Sequence, residues 1–283
     1  MESRVQVASP WADLRPFVAN YRYRVGSFAP DSSPLIFPSR TAQFLEFYLG
    51  DPIRVKQEGL VEDVPRIALV GTQAVRRLEL FMGAKIQTFT VTFHPTGFYR
   101  LFGIPLADLA GKGVPAIDLL GLPVENLYQQ LGDCTNFDSM TEAANIWLRS
   151  FAARAHPDLA DRYRPVEDSL KSIALGPTPF AIDDLVSASM VGQRHFERIF
   201  KQATGVAPKR YLRVMRLNHA LDMKRMTPHL SWSKIAAELG YFDQMHLVHD
   251  FKALGGESPS SLLTSTAKAG DNVGFLLGVG PRR

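Results

Sequence analysis

Gln193–Pro208 and Gln244–Pro259 lie 51 residues apart and are identical at six of sixteen positions. The shared pairs are Gln193/Gln244, His195/His246, Phe200/Phe251, Lys201/Lys252, Gly205/Gly256 and Pro208/Pro259, with Phe196/Leu247 a conservative seventh. At ordinary residue frequencies roughly one identity is expected over such a length. A period of this size means that one supersecondary unit was built twice. No other property of the chain constrains its fold as tightly.

Each copy reads as two short helices joined by a turn. Phe180–Ser189 forms the first helix, with Ile182, Leu185 and Val186 inward. Gly192 allows a sharp turn, and Gln193–Ala203 resumes helical order, with Phe196, Ile199 and Phe200 at spacings of three and four. Gly205 then stops the helix as a C-cap. In the second copy Ser231 caps Trp232–Leu239, Gly240 makes the turn, and Asp243 caps Gln244–Leu254. Leu247 and Phe251 turn inward there. Between the copies, Lys209–Lys224 holds neither Pro nor Gly and predicts one helix of roughly 24 Å. That length is of the order needed to set two recognition helices about one turn of DNA apart on one side of the duplex.

Charge points the same way. Residues 194–225 hold nine Lys/Arg against Glu197 and Asp222, a local excess of +7 in a chain of net charge +4. A basic stripe behind a near-neutral front suggests a polyanion meeting the back half, although such a run is more often a solvated helix face. The outward residues of the second helix of each copy are the candidate DNA contacts: Gln193, Arg194, His195, Glu197 and Arg198 in one, Gln244, Met245, His246 and His249 in the other. Arg194 and Arg198 suit guanine and Gln244 suits adenine, because their paired donors and acceptors match those base edges in the major groove. Any one of them could instead touch only phosphate.

At this point residues 180–264 resemble the DNA-binding domain of AraC/XylS-type transcription regulators. The second copy carries the most specific match: Ser231-Trp-Ser-Lys-Ile235-Ala236, Gly240-Tyr-Phe-Asp-Gln-Met-His-Leu-Val-His-Asp-Phe251-Lys and Gly256-Glu-Ser-Pro259. Arg216-Leu217…Ala220-Leu221 fits the linker. Two positions depart from the pattern: Gly192, where the family usually has a capping serine, and Leu263, where an arginine often follows the last proline. Upstream, Pro10…Leu14-Arg-Pro-Phe17-Val18…Tyr21, Phe93-His-Pro95-Thr-Gly97 and Leu119-Leu-Gly121…Leu127…Leu131 are similar to sensor halves of some of these regulators. The resemblance implies a cupin-like barrel with a helical dimerisation element, and activation more often than repression, commonly through contact with RNA polymerase.

The front half agrees in outline. Arg40–Leu49, Arg54–Gln57, Ile67–Gly71, Arg76–Met82 and Lys85–Phe93 read as strands broken by Pro, Gly and Asp, with a hairpin turn at Met82-Gly83. Phe89, Val91 and Phe93 share one buried face. Helical order follows from Pro95. Ser139-Met-Thr-Glu142 predicts a capping box. Met140, Ala144, Trp147, Leu148 and Phe151 make an apolar stripe, read as core in preference to a homodimer seam. Pro157, Pro165, Pro177 and Pro179 are expected to break the next stretch.

The fold class expected is therefore α+β: an N-terminal small β-barrel or sandwich with helices, then an all-α domain with two helix-turn-helix units. The divisions are a sensor and dimerisation domain at 1–155, a linker and leading helix at 156–179, the DNA-binding domain at 180–264 and a flexible tail at 265–283. Catalytic chemistry is not expected. His94 is the only histidine in residues 1–150, His246 and His249 have no third metal ligand, and Cys134 lacks a neighbouring base to activate it. No cofactor or metal is called for, and no phosphate-cradling glycine loop is present. A single cysteine fits a reducing compartment. The absence of both a signal-like start and an ~18-residue apolar run suggests a cytoplasmic, DNA-associated protein with no membrane partner. The reading is a sequence-specific regulator bound to double-stranded promoter DNA, with an unidentified small-molecule effector. The alternative is a constitutive regulator whose front half only dimerises or binds a protein partner.

Overall fold

Alternation of period two builds the front half, in strands that run from three residues (β3, Leu35–Phe37) to ten (β2, Val18–Ser27). The computed structural model describes residues 2–28, 34–57, 59–74, 78–107, 109, 111, 113–154, 157–175 and 182–267. Its strands are β1 (Glu2–Ala8), β2 (Val18–Ser27), β3 (Leu35–Phe37), β4 (Gln43–Tyr48), β5 (Arg54–Gln57), β6 (Leu60–Asp63), β7 (Ile67–Val70), β8 (Leu78–Phe81), β9 (Lys85–Phe93) and β10 (Gly113–Pro115). One antiparallel sheet runs β1-β2-β9-β4-β7-β10 and a second runs β3-β8-β5-β6. Among the described residues they pair as separate sheets, so the arrangement is sandwich-like and not a closed barrel. Phe180, Ile182's side chain and the tail beyond Ala267 lie outside the described residues.

Register decides what each face of the first sheet carries. Tyr21, Phe89 and Phe47 are one row of cross-strand partners or near neighbours on the side that packs against helices, together with Leu45, Leu69, Val91 and Phe93. The opposite side is polar. Arg22 pairs with Thr90 and Thr90 with Glu46; Arg24 pairs with Thr88 and Thr88 with Tyr48; Asn20 pairs with Thr92 and Thr92 with Phe44. Period-two spacing places these rows on one face. Thr88, Thr90, Thr92, Glu46 and Arg22 are all buried there.

Helices α1 (Gly97–Phe102), α2 (Ile117–Leu120), α3 (Leu122–Asp133) and α4 (Phe137–Ala152) cover the apolar side. The stripe Met140, Ala144, Trp147 and Leu148 is buried in that core, with Phe151 half-buried beside it, which agrees with the core reading. Beyond them come α5 (Pro157–Leu175), α6 (Ile182–Ser189), α7 (Gln193–Thr204), α8 (Pro208–Met226), α9 (Trp232–Glu238), α10 (Gln244–Gly255) and α11 (Pro259–Ala267). A second core joins α5 to α11 and reaches back to Ile36, Ala74 and Tyr99 of the front half.

Several local expectations are corrected. Met82-Gly83 does not close a hairpin: β8 pairs with β3 and β5, β9 with β2 and β4, so the chain changes sheet there. Helix α4 is capped by Asn136, whose side chain accepts from the Ser139 N–H at 2.8 Å, so Ser139 is not the cap. Pro165 does not end its segment but sits inside α5. A proline there removes one backbone bond. Burial of Tyr163, Val166 and Ile173 holds the helix nonetheless, because packing supplies most helical stability in a folded chain. Strand β4 begins at Gln43, and Arg40 makes only an isolated bridge with Gln73.

Candidate nucleic-acid interface

The six identities of the repeat separate into frame and face once placed on helices. Phe200 and Phe251 are fully buried. Gly205 and Gly256 are the C-caps of α7 and α10 at φ of 87° and 77°, a left-handed conformation that other residues adopt at a cost. Pro208 and Pro259 open α8 and α11 at the first helical position, where a missing N–H costs nothing. Lys201 and Lys252 stand in the last turns, where a cation meets the negative end of the helix dipole. Only Gln193/Gln244 and His195/His246 lie at the exposed starts of the two helices.

Those starts are what the fold offers to a partner. On α7, Gln193, Arg194, His195 and Arg198 are exposed and Glu197 is half-buried. Gln193 donates to Glu197 at 3.0 Å, and Arg198 lies 3.2 Å from His195 Nδ1, so four of the five candidates already order one another. On α10, Gln244, Met245, His246 and His249 are exposed. His246 meets the edge of Tyr241 at 5.2 Å between ring centroids. Asp243 caps α10 by accepting from the His246 N–H at 2.7 Å, and Ser231 caps α9 by accepting from the Lys234 N–H at 3.2 Å.

The two units differ at their turns. Gly240 takes the left-handed position in the second, at φ of 70°. In the first the left-handed residue comes one place later, at Met190 with φ of 54°, while Gly192 has an ordinary φ of −63° and caps α7 with no side-chain bond. The sharp turn thus rests on Met190, not on Gly192. Met190 is also 93% exposed, so nothing packs it in place. Met190→Gly is expected to raise stability by about 1 kcal/mol, seen as a higher midpoint in thermal or urea unfolding. An unchanged midpoint would mean that the turn relaxes without cost.

The model of a helix-turn-helix domain family matches residues 185–265, which spans both units and the α8 between them. Residues 185–265 are a helix-turn-helix domain of the AraC type. No curated protein matches the chain. Among solved structures, ToxT from Vibrio cholerae is similar at 11% identity and a TM-score of 0.46, over 87% of this chain and 98% of that one. The DNA-binding domain of AdpA, solved with a target DNA, is similar at 21% identity and a TM-score of 0.33, over 38% and 95%. The AraC-like activator CuxR is similar at 10% identity and a TM-score of 0.23, over 96% and 90%.

The AraC-type domain corrects the picture of a basic stripe. Much of the excess charge is engaged within the protein. Arg210 donates to Ala74 O, Arg213 pairs with Asp250 at 2.7 Å, and Arg216 lies over the Tyr241 ring at 5.0 Å. Lys224 donates to Pro228 O and Leu230 O, and Arg225 pairs with Asp222 at 3.3 Å. Arg194, Arg198, Lys201 and Lys209 are the stripe's exposed cations, apart from Arg210. Sequence counting could not separate the two groups, because an arginine turned inward adds the same charge as one turned outward. It also passed over Phe242, which is 93% exposed beside the Asp243 cap and offers an apolar contact next to α10.

Proposed function

We propose that the chain is an effector-responsive regulator that reads two adjacent major-groove segments of promoter DNA, α7 in one and α10 in the next. One observation carries the proposal. Both recognition helices present exposed N-terminal halves, while their C-terminal ends are tied to the front half. Gln43 Nε2 donates to Ala203 O at 3.2 Å and the Leu106 N–H donates to Gln202 O at 3.0 Å, both at the end of α7. Ser39 Oγ donates to Leu254 O at 2.8 Å, at the end of α10. A front half attached to both helices can transmit its own state to the way they meet DNA. In this division residues 1–155 are sensor, 156–179 linker and leading helix, and 180–264 the DNA-binding domain.

Gln193, Arg194, His195, Glu197, Arg198, Gln244, Met245, His246 and His249 are the contacts we assign. The N-termini of the two helices favour phosphate by their dipoles, and the side chains beyond them reach base edges. The family resemblance supports activation, with RNA polymerase as the partner, in the cytoplasm. Exposed Leu122 and Ile146, on α3 and α4, are apolar side chains that a homodimer would cover.

The test is recovery and sequencing of genomic fragments bound by the full chain. The expected motif has two half-sites about one helical turn apart. On that operator, Arg198→Ala and His246→Ala should each weaken binding by roughly 1–3 kcal/mol while leaving random DNA nearly unaffected. Equal losses on both DNAs would make these residues phosphate contacts, and a motif without paired half-sites would end the two-segment reading.

A further inference from the structure

Among the described residues, Arg22, Arg24 and Arg40 all feel one carboxylate on the polar face of the first sheet, that of Glu46. Arg22 and Arg24 stand on it in successive rows, with Glu46 two strands away in the row of Arg22. Arg40, 5% exposed, lies over the rings of Phe37 at 5.6 Å and Phe44 at 4.9 Å, one ring from each sheet. Burial lowers the pKa of all three arginines, and Glu46 acts on each through space to hold the charge. Thr90 already donates to Glu46 at 3.1 Å. Among the described residues, Arg24 Nε, Arg40 Nε and Asn20 Oδ1 have no hydrogen-bond partner. A buried guanidinium nitrogen without an acceptor is costly, and a native fold keeps one where something else supplies the acceptor.

We infer that this face binds a compact organic anion bearing two or more carboxylate or phosphate groups, with Arg24 and Arg40 as its principal ligands. Guanidinium forks match planar oxyanions in pairs. The threonine hydroxyls of the same face suit an anion that also carries hydroxyl groups. The inference rests on the effector-responsive reading and gives it a route. Arg40 belongs to the segment 39–43, whose Ser39 holds the end of α10 and whose Gln43 holds the end of α7. An anion that draws on Arg40 acts on a stretch of chain bonded to both recognition helices.

Two probes separate the two sources of such chemistry: citrate for polycarboxylates and inorganic pyrophosphate for phosphorylated molecules. Thermal unfolding of the full chain is followed with each, against sodium chloride at equal ionic strength. One of the two is expected to raise the midpoint saturably by several degrees. Arg24→Met and Arg40→Met should each abolish that rise, and Arg164→Met, an exposed control on α5, should keep it. Arg24 is only half-buried, so its variant preserves the test if Arg40→Met fails to fold. No rise with either probe, or a rise that survives in Arg24→Met, overturns the site. Operator affinity is then measured with the effective probe. A change of about tenfold, reduced in Gln43→Ala, supports the route through 39–43. A midpoint rise with unchanged operator affinity keeps the site and overturns the effector-responsive reading alone.

Discussion

Arg213→Ala is expected to destabilise the helical domain by about 3 kcal/mol, because it strands a carboxylate that the fold has buried. Asp250 is 2% exposed, and the Arg213 guanidinium reaches its Oδ1 through Nε at 3.1 Å and through a terminal nitrogen at 2.7 Å. The pair spans from α8 to α10, so it sets the second recognition helix against the rod that joins the two units. Removing the arginine leaves the Asp250 carboxylate buried without its cation, with Tyr241 as a remaining polar neighbour. Removing both partners is a different experiment. A well-packed apolar pair often matches or exceeds a buried ion pair in stability. Arg213→Leu with Asp250→Leu should therefore recover most of what Arg213→Ala loses. Urea unfolding of Arg213→Leu, Asp250→Leu and the double variant closes the cycle. A single-variant loss below about 0.5 kcal/mol would place the pair among exposed bridges that contribute little.

The same pair shows where sequence stops being legible. Asp250 follows His249 in a helix whose outward face was read as Gln244, Met245, His246 and His249, and only a three-dimensional neighbour on α8 explains why a carboxylate lies inside. Periodicity still placed α7 and α10 to within one residue at their ends, because caps are local: Asp243, Ser231, Gly205 and Gly256 each act within one turn. Elements held by distant contacts were less legible. Strand β2 alternates Tyr21, Arg22, Tyr23, Arg24 and Val25 plainly, yet it was not among the strands read from the sequence. Its two faces meet a helical core and a charged interior, so neither side reads as solvent. Helix α5 survives its proline through packing that sequence does not display. The candidate contact residues, apart from half-buried Glu197, were legible as exposed positions. Which of them a base meets was not, because that is fixed by the DNA as much as by the helix.

Phe200→Ala and Phe251→Ala test the claim that the repeat conserves a frame and leaves the reading face to vary. Each ring is fully buried. Phe200 lies tilted against Phe196 at 5.5 Å between ring centroids and meets Tyr211 edge-on at 5.3 Å, and Phe251 meets Trp232 edge-on at 5.6 Å. Truncating a buried phenylalanine to alanine costs about 3–5 kcal/mol, as lost transfer energy plus the cavity left behind. Both variants should unfold at much lower denaturant than the parent. Whatever remains folded should lose operator and random DNA binding together. Exposed positions should behave in the opposite way: Arg194→Ala should leave the unfolding midpoint within about 0.5 kcal/mol of the parent and act on DNA alone. A Phe200→Ala variant that stays stable yet changes operator preference would place specificity in the shared residues, and the division of the repeat into frame and face would fail.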